Sequence, residues 1–537
     1  MYIKYSPLQS KQLLQQKYID TQDTYLLVCL PEHMRCVQLK ESLQQQLHQS
    51  FDIISLEQLT ERLTEDVSGA VVFKEDCQCL STALMSMAAE LAAGADLVTA
   101  NCAYGSGCGT ECYFNGSLEP VGCPCVTISR SLLLQMKNIR KQSPVELILC
   151  AARLATTRCH ISQSLFLVRR ELQADDLYSA NVKRALILTH EFSMTGAPIV
   201  LVNMVPALRS FGYEVVVLGP DEGKSLELFN HAGATVLTNA DLLNNEALCG
   251  VALNCDLVEV NTVCQLDAIQ QLNGAKVPVL WWLHDAFLIY AYIGSSIPVR
   301  LGPNVSVCAV GAHATAAMHS VRPDFKIQDL IYGLPDYAQD HFATYDLSFT
   351  KGKRLFVTVG SFEERKGQDI LCDAIRLLPE EKLRQSAFLF VGKPYHEEFY
   401  HQVESLTSRY PDNVFYQESL TRDEIKSLMQ QCSCVICASR DDPMPTFVTE
   451  GLIFGRPAIV SEHTGTAGLI QEGVDGFVYR QDSPAELEEK IEYFIDHPEL
   501  NQQMSKACRA LYERCFTYDS FQKTLKQLVQ ELTEREI

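Results

Sequence analysis

Short apolar runs alternate with loops and amphipathic stretches, and the pattern is clearest between residues 434 and 479. Residues 434–438 form an apolar run of strand length, and a polar, proline-containing loop follows it. Residues 446–454 predict a helix that Gly455 can end, and residues 458–460 are a second apolar run. This order of strand, loop and helix predicts parallel α/β structure, in which ligands bind beyond the carboxyl ends of the strands.

The same alternation extends over the rest of the chain. Apolar runs predict further strands at 25–30, 52–56, 69–73, 96–99, 185–188, 214–218, 256–262, 277–283, 305–310, 328–332 and 355–359. Helices are expected at 8–18, 36–48, 80–93, 368–378 and 422–432, with another that runs to Arg209 and that Pro206 should kink. The last helix carries an apolar stripe that predicts core packing, formed by Phe521, Leu525, Leu528 and Leu532.

Composition narrows the classes of protein. A chain of 537 residues with 47% hydrophobic residues suggests three or four globular domains. The formal charge of −21 argues against nucleic acid as a partner, although a local contact with a membrane surface stays open. The first residues have no apolar signal region, and no apolar run is long enough to span a membrane. With 21 cysteines and no secretory signal, we expect free thiols and a cytoplasmic protein.

Charged and glycine-rich positions follow several of the predicted strands. Asp442 lies in the loop after residues 434–438, and Glu450 lies in the helix behind it. A helix start offers unpaired N–H groups to phosphate, and a nearby carboxylate can accept hydrogen bonds from sugar hydroxyls. Gly465 and Thr466 lie in the next loop and offer further backbone donors. These residues together predict a receptor for a sugar joined to a diphosphate.

This segment resembles the donor site of retaining GT-B glycosyltransferases of family four, the group 1 transferases. Their E-x7-E motif appears as Asp442-x7-Glu450, followed by Gly-Arg-Pro-Ala-Ile-Val at 455–460 and Asp-Gly-Phe at 475–477. The resemblance covers about residues 183–530. It implies an α/β fold with two facing Rossmann-like domains, at 181–340 on the acceptor side and at 341–510 on the donor side. A terminal helix at 511–537 is expected to cross back to the first of these domains.

The resemblance also implies roles for individual residues. Lys366 matches the lysine that contacts the donor diphosphate, whereas Ser361 stands where the family has an arginine. A hydroxyl cannot replace a guanidinium fork, and Arg365 could compensate from the position beside Lys366. Glu450 would bind ribose or sugar hydroxyls, and Asp442 would bind the donor sugar. The Gly465-Thr466 backbone would serve the diphosphate.

Two further site residues are expected between 181 and 340. Gly196, in Thr-Gly-Ala at 195–197, matches the glycine turn that lies under the donor phosphates or beside the acceptor, and close strand-to-helix packing is the less favoured alternative. His284 ends a predicted strand, and a neutral imidazole there can hydrogen-bond a donor sugar hydroxyl. Trp281 and Trp282, directly before it, are expected in the core.

Residues 1–180 predict an additional α/β domain. The sequence around Asp76 faintly resembles a degenerate GT-A sugar-nucleotide domain, but Cys77-Gln78-Cys79 stands where a second acid of the DxD metal motif is expected. We therefore expect binding or docking, including docking of a partner transferase, rather than catalysis in this region. Buried free thiols are the favoured interpretation of its cysteines. A tetrahedral zinc site is the alternative, and it would use Cys108, Cys112, Cys123 and Cys125.

The predicted function is retaining transfer of a sugar from a nucleotide-diphosphate donor, of the UDP or GDP type. The acceptor would be a hydroxyl of a saccharide, a lipid-linked molecule or a protein, in the synthesis of cell-surface polysaccharide or glycoconjugates. The resemblance implies that no metal or other cofactor is required besides the nucleotide sugar. The alternative is a non-catalytic GT-B subunit that binds and supports a partner transferase.

Overall fold

The computed structural model describes residues 23–31, 36–105, 112–115, 123–170, 172–179 and 181–535. Two compact units make up this part of the chain. The first contains the described residues up to Val260 and Asp267–Val279, and the second contains Asn261–Leu266 and the described residues from Leu280 onward. The helix predicted at 8–18 and the zinc candidate Cys108 lie outside the described residues.

The first unit is built on a mixed sheet. Its strands, numbered in chain order, are β1 (Leu26–Leu30), β2 (Phe51–Ser55), β3 (Gly69–Phe73), β4 (Gln78–Cys79), β5 (Leu97–Tyr104), β6 (Cys112–Asn115), β7 (Cys125–Ser129), β8 (Arg158–Val168), β9 (Lys183–Leu188), β10 (Tyr213–Gly219), β11 (Thr235–Thr238) and β12 (Leu257–Asn261). The order along the sheet is β12-β9-β10-β11-β6-β5-β7-β3-β1-β2, while β8 pairs with β5 and with β4.

Parallel pairing dominates both ends of this sheet. Strands β9 to β12 pair in parallel, as do β1, β2 and β3. Antiparallel pairing of β6 with β11 and β5, and of β7 with β5 and β3, joins the two parallel parts. The sheet therefore continues from the region before residue 180 into the region after it, and the domain boundary at 180 stays a sequence prediction.

Helices flank these strands because their apolar faces pack onto the sheet. In the first unit they are Val37–Leu43, Leu59–Arg62, Ala83–Ala92, Arg130–Gln135, Pro144–Leu154, Ala174–Leu177, Gly196–Val202, Met204–Ser210, Leu226–His231, Glu246–Leu253 and Leu266–Leu272. The expected effect of Pro206 is visible as a break at Asn203, between Gly196–Val202 and Met204–Ser210. Proline lacks an N–H and its ring crowds the carbonyl four residues earlier, so the helix divides there.

The second unit contains a fully parallel six-stranded sheet. Its strands are β16 (Arg354–Val359), β17 (Ser386–Val391), β18 (Val414–Gln417), β19 (Cys434–Cys437), β20 (Ala458–Ser461) and β21 (Gly476–Tyr479), in the order β18-β17-β16-β19-β20-β21. The order changes direction between β16 and β19. At such a switch point the loops at the carboxyl ends diverge and leave a crevice for a ligand.

The rest of the second unit contains three earlier strands and the helices. The strands are β13 (Val279–Leu283), β14 (Val305–Ala309) and β15 (Ile327–Asp329). The helices are Phe287–Ile293, Ala312–His319, Gln368–Leu377, Glu380–Gln385, Glu397–Arg409, Arg422–Gln431, Thr446–Ile453, Pro484–Asp496, Leu500–Cys515 and Tyr518–Thr533. Most of the predicted strands and helices are present, with ends that differ by a few residues.

The last helix begins at Tyr518, so the first residues of the predicted 511–537 segment belong to the preceding helix, Leu500–Cys515. Its apolar stripe is buried as expected, and Phe521 stacks on Trp282 with ring centroids 5.7 Å apart. Trp281 and Trp282 are both fully buried, as the sequence predicted. The terminal helix thus packs on Trp282, which belongs to strand β13.

Candidate functional site

The loops after β16 and β19 bring two cations onto one buried carboxylate. Lys366 Nζ lies 2.6 Å from Asp442 Oδ2, and Arg365 Nη1 lies 3.9 Å from the same oxygen. The sequence places these residues 76 positions apart, but parallel strands end at a common edge. Asp442 is 5% exposed, so its charge depends on the neighbouring cations.

The electrostatics of Asp442 reflect two opposing effects. Burial pushes the pKa of its carboxyl upward, but the charges of Lys366 and Arg365 and the Lys366 hydrogen bond outweigh burial and hold that pKa below its usual value. An ammonium group has three N–H donors, and the bond to Asp442 uses one of them. The Lys366 ammonium can therefore bind an anion while it stays paired with Asp442.

Arg365, the residue proposed to compensate for Ser361, is held by two acceptors. Its guanidinium donates to the Asp441 carbonyl at 3.0 Å and to Glu363 Oε1 at 3.1 Å. The Ser361 hydroxyl donates to the same Glu363 oxygen at 3.0 Å. Position 361 thus carries a hydroxyl in place of the arginine that the resemblance implies. The Arg365 guanidinium lies near Asp442 together with Lys366.

The second glycine loop packs directly against the first. The Gly465 amide donates to the Asp442 carbonyl at 2.9 Å, and a β-carbon at Gly465 would lie 1.7 Å from the Pro443 oxygen. Only glycine permits this approach. Thr466 is buried, and its hydroxyl contacts the Met444 sulfur at 3.6 Å. A phosphate role for the Gly465 amide would require a ligand to share or replace its present bond.

Glu450 lies on the helix Thr446–Ile453 and is 2% exposed. Its carboxylate forms an ion pair with Arg422, which begins the helix Arg422–Gln431 behind the Thr421 capping box. The preceding residue, Thr449, hydrogen-bonds the buried Tyr332 hydroxyl at 2.8 Å. The carboxylate is thus held in one orientation, as a receptor for hydroxyl groups needs.

His284 follows β13, and its ring packs edge-on against Trp282 with centroids 4.2 Å apart. Two contacts that the sequence analysis did not identify hold the Asp441 carboxylate. His313 Nε2 donates to Asp441 Oδ1 at 2.7 Å, and the Leu288 amide donates to Asp441 Oδ2 at 3.3 Å. The sequence signal for this contact was limited to the position of His313, shortly after strand β14.

Gly196 lies in the first unit, where it begins the helix Gly196–Val202. The loop before it is organised by Glu191, which accepts from Ser193 at 2.6 Å and Thr195 at 2.8 Å. The hydrogen bond from His190, together with those from Ser193 and Thr195, lowers the pKa of Glu191 to about 2 despite partial burial. The glycine turn therefore follows a loop that is hydrogen-bonded through Glu191, and its ligand stays a prediction.

The cysteines of the first unit can be described only in part. Cys123 donates to the Ala100 carbonyl at 3.0 Å, and burial raises the pKa of both Cys123 and Cys125. Cys108 lies outside the described residues, and the side chain of Cys112 is not described. Within the ranges that the structure covers, no group of three or more His, Cys, Asp or Glu is arranged to hold a metal ion. The described helices include none with the length and apolarity of a membrane span.

Comparison with known proteins places these features in a family. The sequence model described as "Glycosyl transferases group 1" matches residues 345–511, and that of "Glycosyl-transferase family 4" matches residues 181–303. The first match contains Lys366, Asp442 and Glu450, and the second contains Gly196 and His284. Together the two matches cover more than half of the chain.

Similar proteins carry compatible names. The chain is 25% identical over 179 residues to an uncharacterized glycosyltransferase of Methanocaldococcus jannaschii, which is 33% of this chain and 48% of the relative. It is 26% identical over 198 residues to the D-rhamnosyltransferase WbpZ of Pseudomonas aeruginosa, 36% of this chain and 50% of that protein. The chain thus spans about half the length of these curated relatives.

Among solved structures, HepE of Anabaena in complex with UDP-glucose aligns with a TM-score of 0.56 at 16% identity, over 65% of this chain and 99% of HepE. Likeness at this identity shows the fold, which is GT-B: α/β, with Rossmann-like parallel sheets and here an additional amino-terminal α/β region. Fold and sequence matches agree. The chain belongs to the group 1 glycosyltransferases.

Proposed function

We propose that this protein transfers a sugar from a nucleotide-diphosphate sugar to a hydroxyl acceptor with retention of anomeric configuration. The observation that carries the proposal is the convergence of Lys366 and Arg365 on buried Asp442 at the carboxyl edge of the parallel sheet. A donor diphosphate is a strong anion, and cations held in place before it binds stabilise the charge that develops as it leaves.

The proposed reaction breaks the bond between the sugar anomeric carbon and the diphosphate oxygen and forms a bond from that carbon to the acceptor oxygen. The proton of the acceptor hydroxyl passes to the leaving diphosphate. Lys366 and Arg365 would bind that diphosphate, Asp442 would contact the donor sugar, and Glu450 would accept from ribose or sugar hydroxyls. His284 would hydrogen-bond a donor sugar hydroxyl. No metal has a part in this scheme.

UDP is the first nucleotide to test, because HepE, whose fold this chain shares, is described in complex with UDP-glucose. Calorimetric titration with UDP, GDP and dTDP would identify the donor type. We expect one of the three to bind and Lys366→Ala to weaken its binding roughly tenfold or more, since a charge-assisted hydrogen bond contributes about 1.5–3 kcal/mol.

Lys351→Ala is the matched control, because Lys351 also pairs with an aspartate, Asp412 at 2.7 Å, but in an exposed position. It should leave nucleotide binding unchanged. A folded protein that binds none of the three nucleotides would contradict the proposal. Once a donor is known, full transferase activity of Glu450→Gln would refute the role assigned to Glu450.

The family resemblance also supports a wider role for the protein. We propose that it acts in the cytoplasm in the synthesis of cell-surface polysaccharide or glycoconjugates. The alternative of a non-catalytic subunit rested on Ser361 and on the amino-terminal region. Arg365 Nη1 lies 3.9 Å from the Asp442 carboxylate, which supports the proposal that Arg365 compensates for the missing arginine at position 361. No contact of the described residues favours a partner transferase.

A further inference from the structure

An exposed apolar surface lies on the short helix Phe287–Ile293 and the turn after it. Phe287 is 40% exposed, Leu288 57%, Tyr292 76% and Val299 72%. Leu288 and Tyr292 are four residues apart and so lie on the same face of the helix. We call these four residues the apolar platform.

The platform lacks the charged residues that usually cover the outer face of a helix. Between Phe287 and Val299 the sequence contains no Asp, Glu, Lys or Arg. The exposed area of the four side chains is on the order of 400 Å², taking a large apolar side chain at about 150–250 Å². An apolar patch of this size on one protein often marks a binding site.

The platform adjoins the candidate donor site. The Leu288 amide donates to Asp441 Oδ2 at 3.3 Å, and the Phe287 ring meets the His313 ring edge-on with centroids 5.2 Å apart. His313 holds the other Asp441 oxygen at 2.7 Å. Asp441 directly precedes Asp442, so a molecule on the platform lies beside the cluster proposed to hold the donor.

We propose that the platform binds the apolar part of an amphipathic acceptor, such as the alkyl chain of a glycolipid, while its hydroxyl reaches the donor sugar. The inference rests on the proposed function, because it names the acceptor class for the same site. An apolar chain gains free energy by covering these side chains, and the neighbouring Asp441 and His313 can meet the polar head group.

Two other occupants fit less well. Anionic bilayers attract apolar surfaces that are flanked by basic residues. Arg300 follows Val299, and Arg322 donates to the carbonyls of Pro298 and Ile297, but residues 181–340 as a whole contain 8 Lys and Arg against 15 Asp and Glu. A stable interface with a second copy usually buries about 800 Å² on each partner, roughly twice what the platform offers. A single apolar chain matches the size and charge of the surface better.

The test compares octyl β-D-glucoside, below its micellar concentration, with methyl β-D-glucoside by saturation-transfer NMR on the full chain. We expect saturation of the octyl chain protons in the wild type and a reduction of at least threefold in Leu288→Ser and in Tyr292→Ser. Serine retains the backbone N–H that Asp441 accepts. Leu377→Ser is the matched control, since Leu377 is 55% exposed on a different helix, and it should behave as the wild type.

Several results would overturn the inference. Equal signals from the octyl and methyl glucosides would do so, as would unchanged octyl saturation in both platform variants. Binding to phosphatidylglycerol vesicles that Leu288→Ser abolishes, without chain-dependent glucoside binding, would point to a membrane surface instead. A dimer that Leu288→Ser dissociates would point to a second copy of the chain. UDP titration of the same variants separates the two proposals. Octyl glucoside binding at the platform without nucleotide binding would contradict the proposed function alone.

Discussion

Two strand ends, one in each unit, show opposite arrangements of charge. In the first unit, the loop after β3 leads to Glu75, and both Glu75 and Asp176 pair with one guanidinium, that of Arg170, at 2.8 and 2.6 Å. In the second unit, two cations converge on one carboxylate, Asp442. The first arrangement follows β3, in which all five residues are buried, and the second follows β16 and β19.

The difference decides what each end can bind. Arg170 donates through Nε, Nη1 and Nη2 to its two carboxylates, so its hydrogen-bonding capacity is used within the protein. Asp76, which the sequence analysis compared with the first acid of a DxD motif, accepts from the Leu39 amide at 3.0 Å and so supports a helix. Lys366 uses one of its three N–H donors on Asp442, and its other donors suit an anionic ligand. The strand ends thus carry a structural cluster in one unit and a candidate donor site in the other.

The largest expected effect comes from removing the shared partner in the second unit. Asp442→Ala leaves the largely buried Lys366 without its carboxylate partner, and it should lower the free energy of unfolding by about 3 kcal/mol. Asp176→Ala in the first unit should cost only about 1 kcal/mol, because Glu75 still pairs with Arg170. Urea unfolding of both variants measures the difference. Equal losses would show that the two clusters are energetically alike.

The two units should also respond to acid at different pH values. His160 in the first unit is held between Thr99 and Asn101 at 2.7 Å each, and burial lowers its pKa to about 4 from 6.5. The unfolded state therefore binds the proton first, and stability falls by up to about 3 kcal/mol as the pH drops from 6.5 to 4. The pKa of Asp442 is depressed below 3.8, so its contribution is lost only at lower pH.

Unfolding of the wild type and of His160→Gln across this pH range would test the assignment. The variant should have a flatter stability profile between pH 6.5 and 4, because glutamine does not titrate. A slope equal to that of the wild type would assign the loss of stability to other groups.

A smaller effect is expected at Arg422. Glu450 has a single described cationic partner, so Arg422→Ala should destabilise the protein by roughly 2 kcal/mol and weaken nucleotide binding through the unheld carboxylate. Arg384→Ala, which removes a fully exposed pair with Glu380, is the control and should stay within about 0.5 kcal/mol of the wild type. A double-mutant cycle of Arg422→Ala and Glu450→Gln checks the pair. Additive changes in the free energy of unfolding would show that the two side chains are not coupled.

The smallest effect concerns the thiols of the first unit. Burial raises the pKa of Cys102 and Cys125, so both should resist iodoacetamide in mildly alkaline buffer, whereas the exposed Cys264 should react quickly. Peptide mass spectrometry with and without guanidinium chloride measures this. A stoichiometric zinc content of the purified protein would instead support the predicted site at Cys108, Cys112, Cys123 and Cys125.

Local pattern was enough to predict most strands, the break near Pro206, the buried stripe of the last helix and the loop that carries Asp442. These features depend on the alternation of apolar and polar residues and on backbone preferences over a few positions. The family motif then directed attention to Lys366 and Glu450, because both lie in loops or helices that follow recognisable strands.

Only the tertiary structure decided the partners. Arg422 pairs with Glu450 across 28 residues and His313 with Asp441 across 128, and β6 joins β11 in a sheet that no local signal announces. Such contacts depend on which strand ends and helix faces pack side by side, and a single sequence holds no local record of that choice. Sequence thus determined which segments form strands and helices, and packing determined which charges meet.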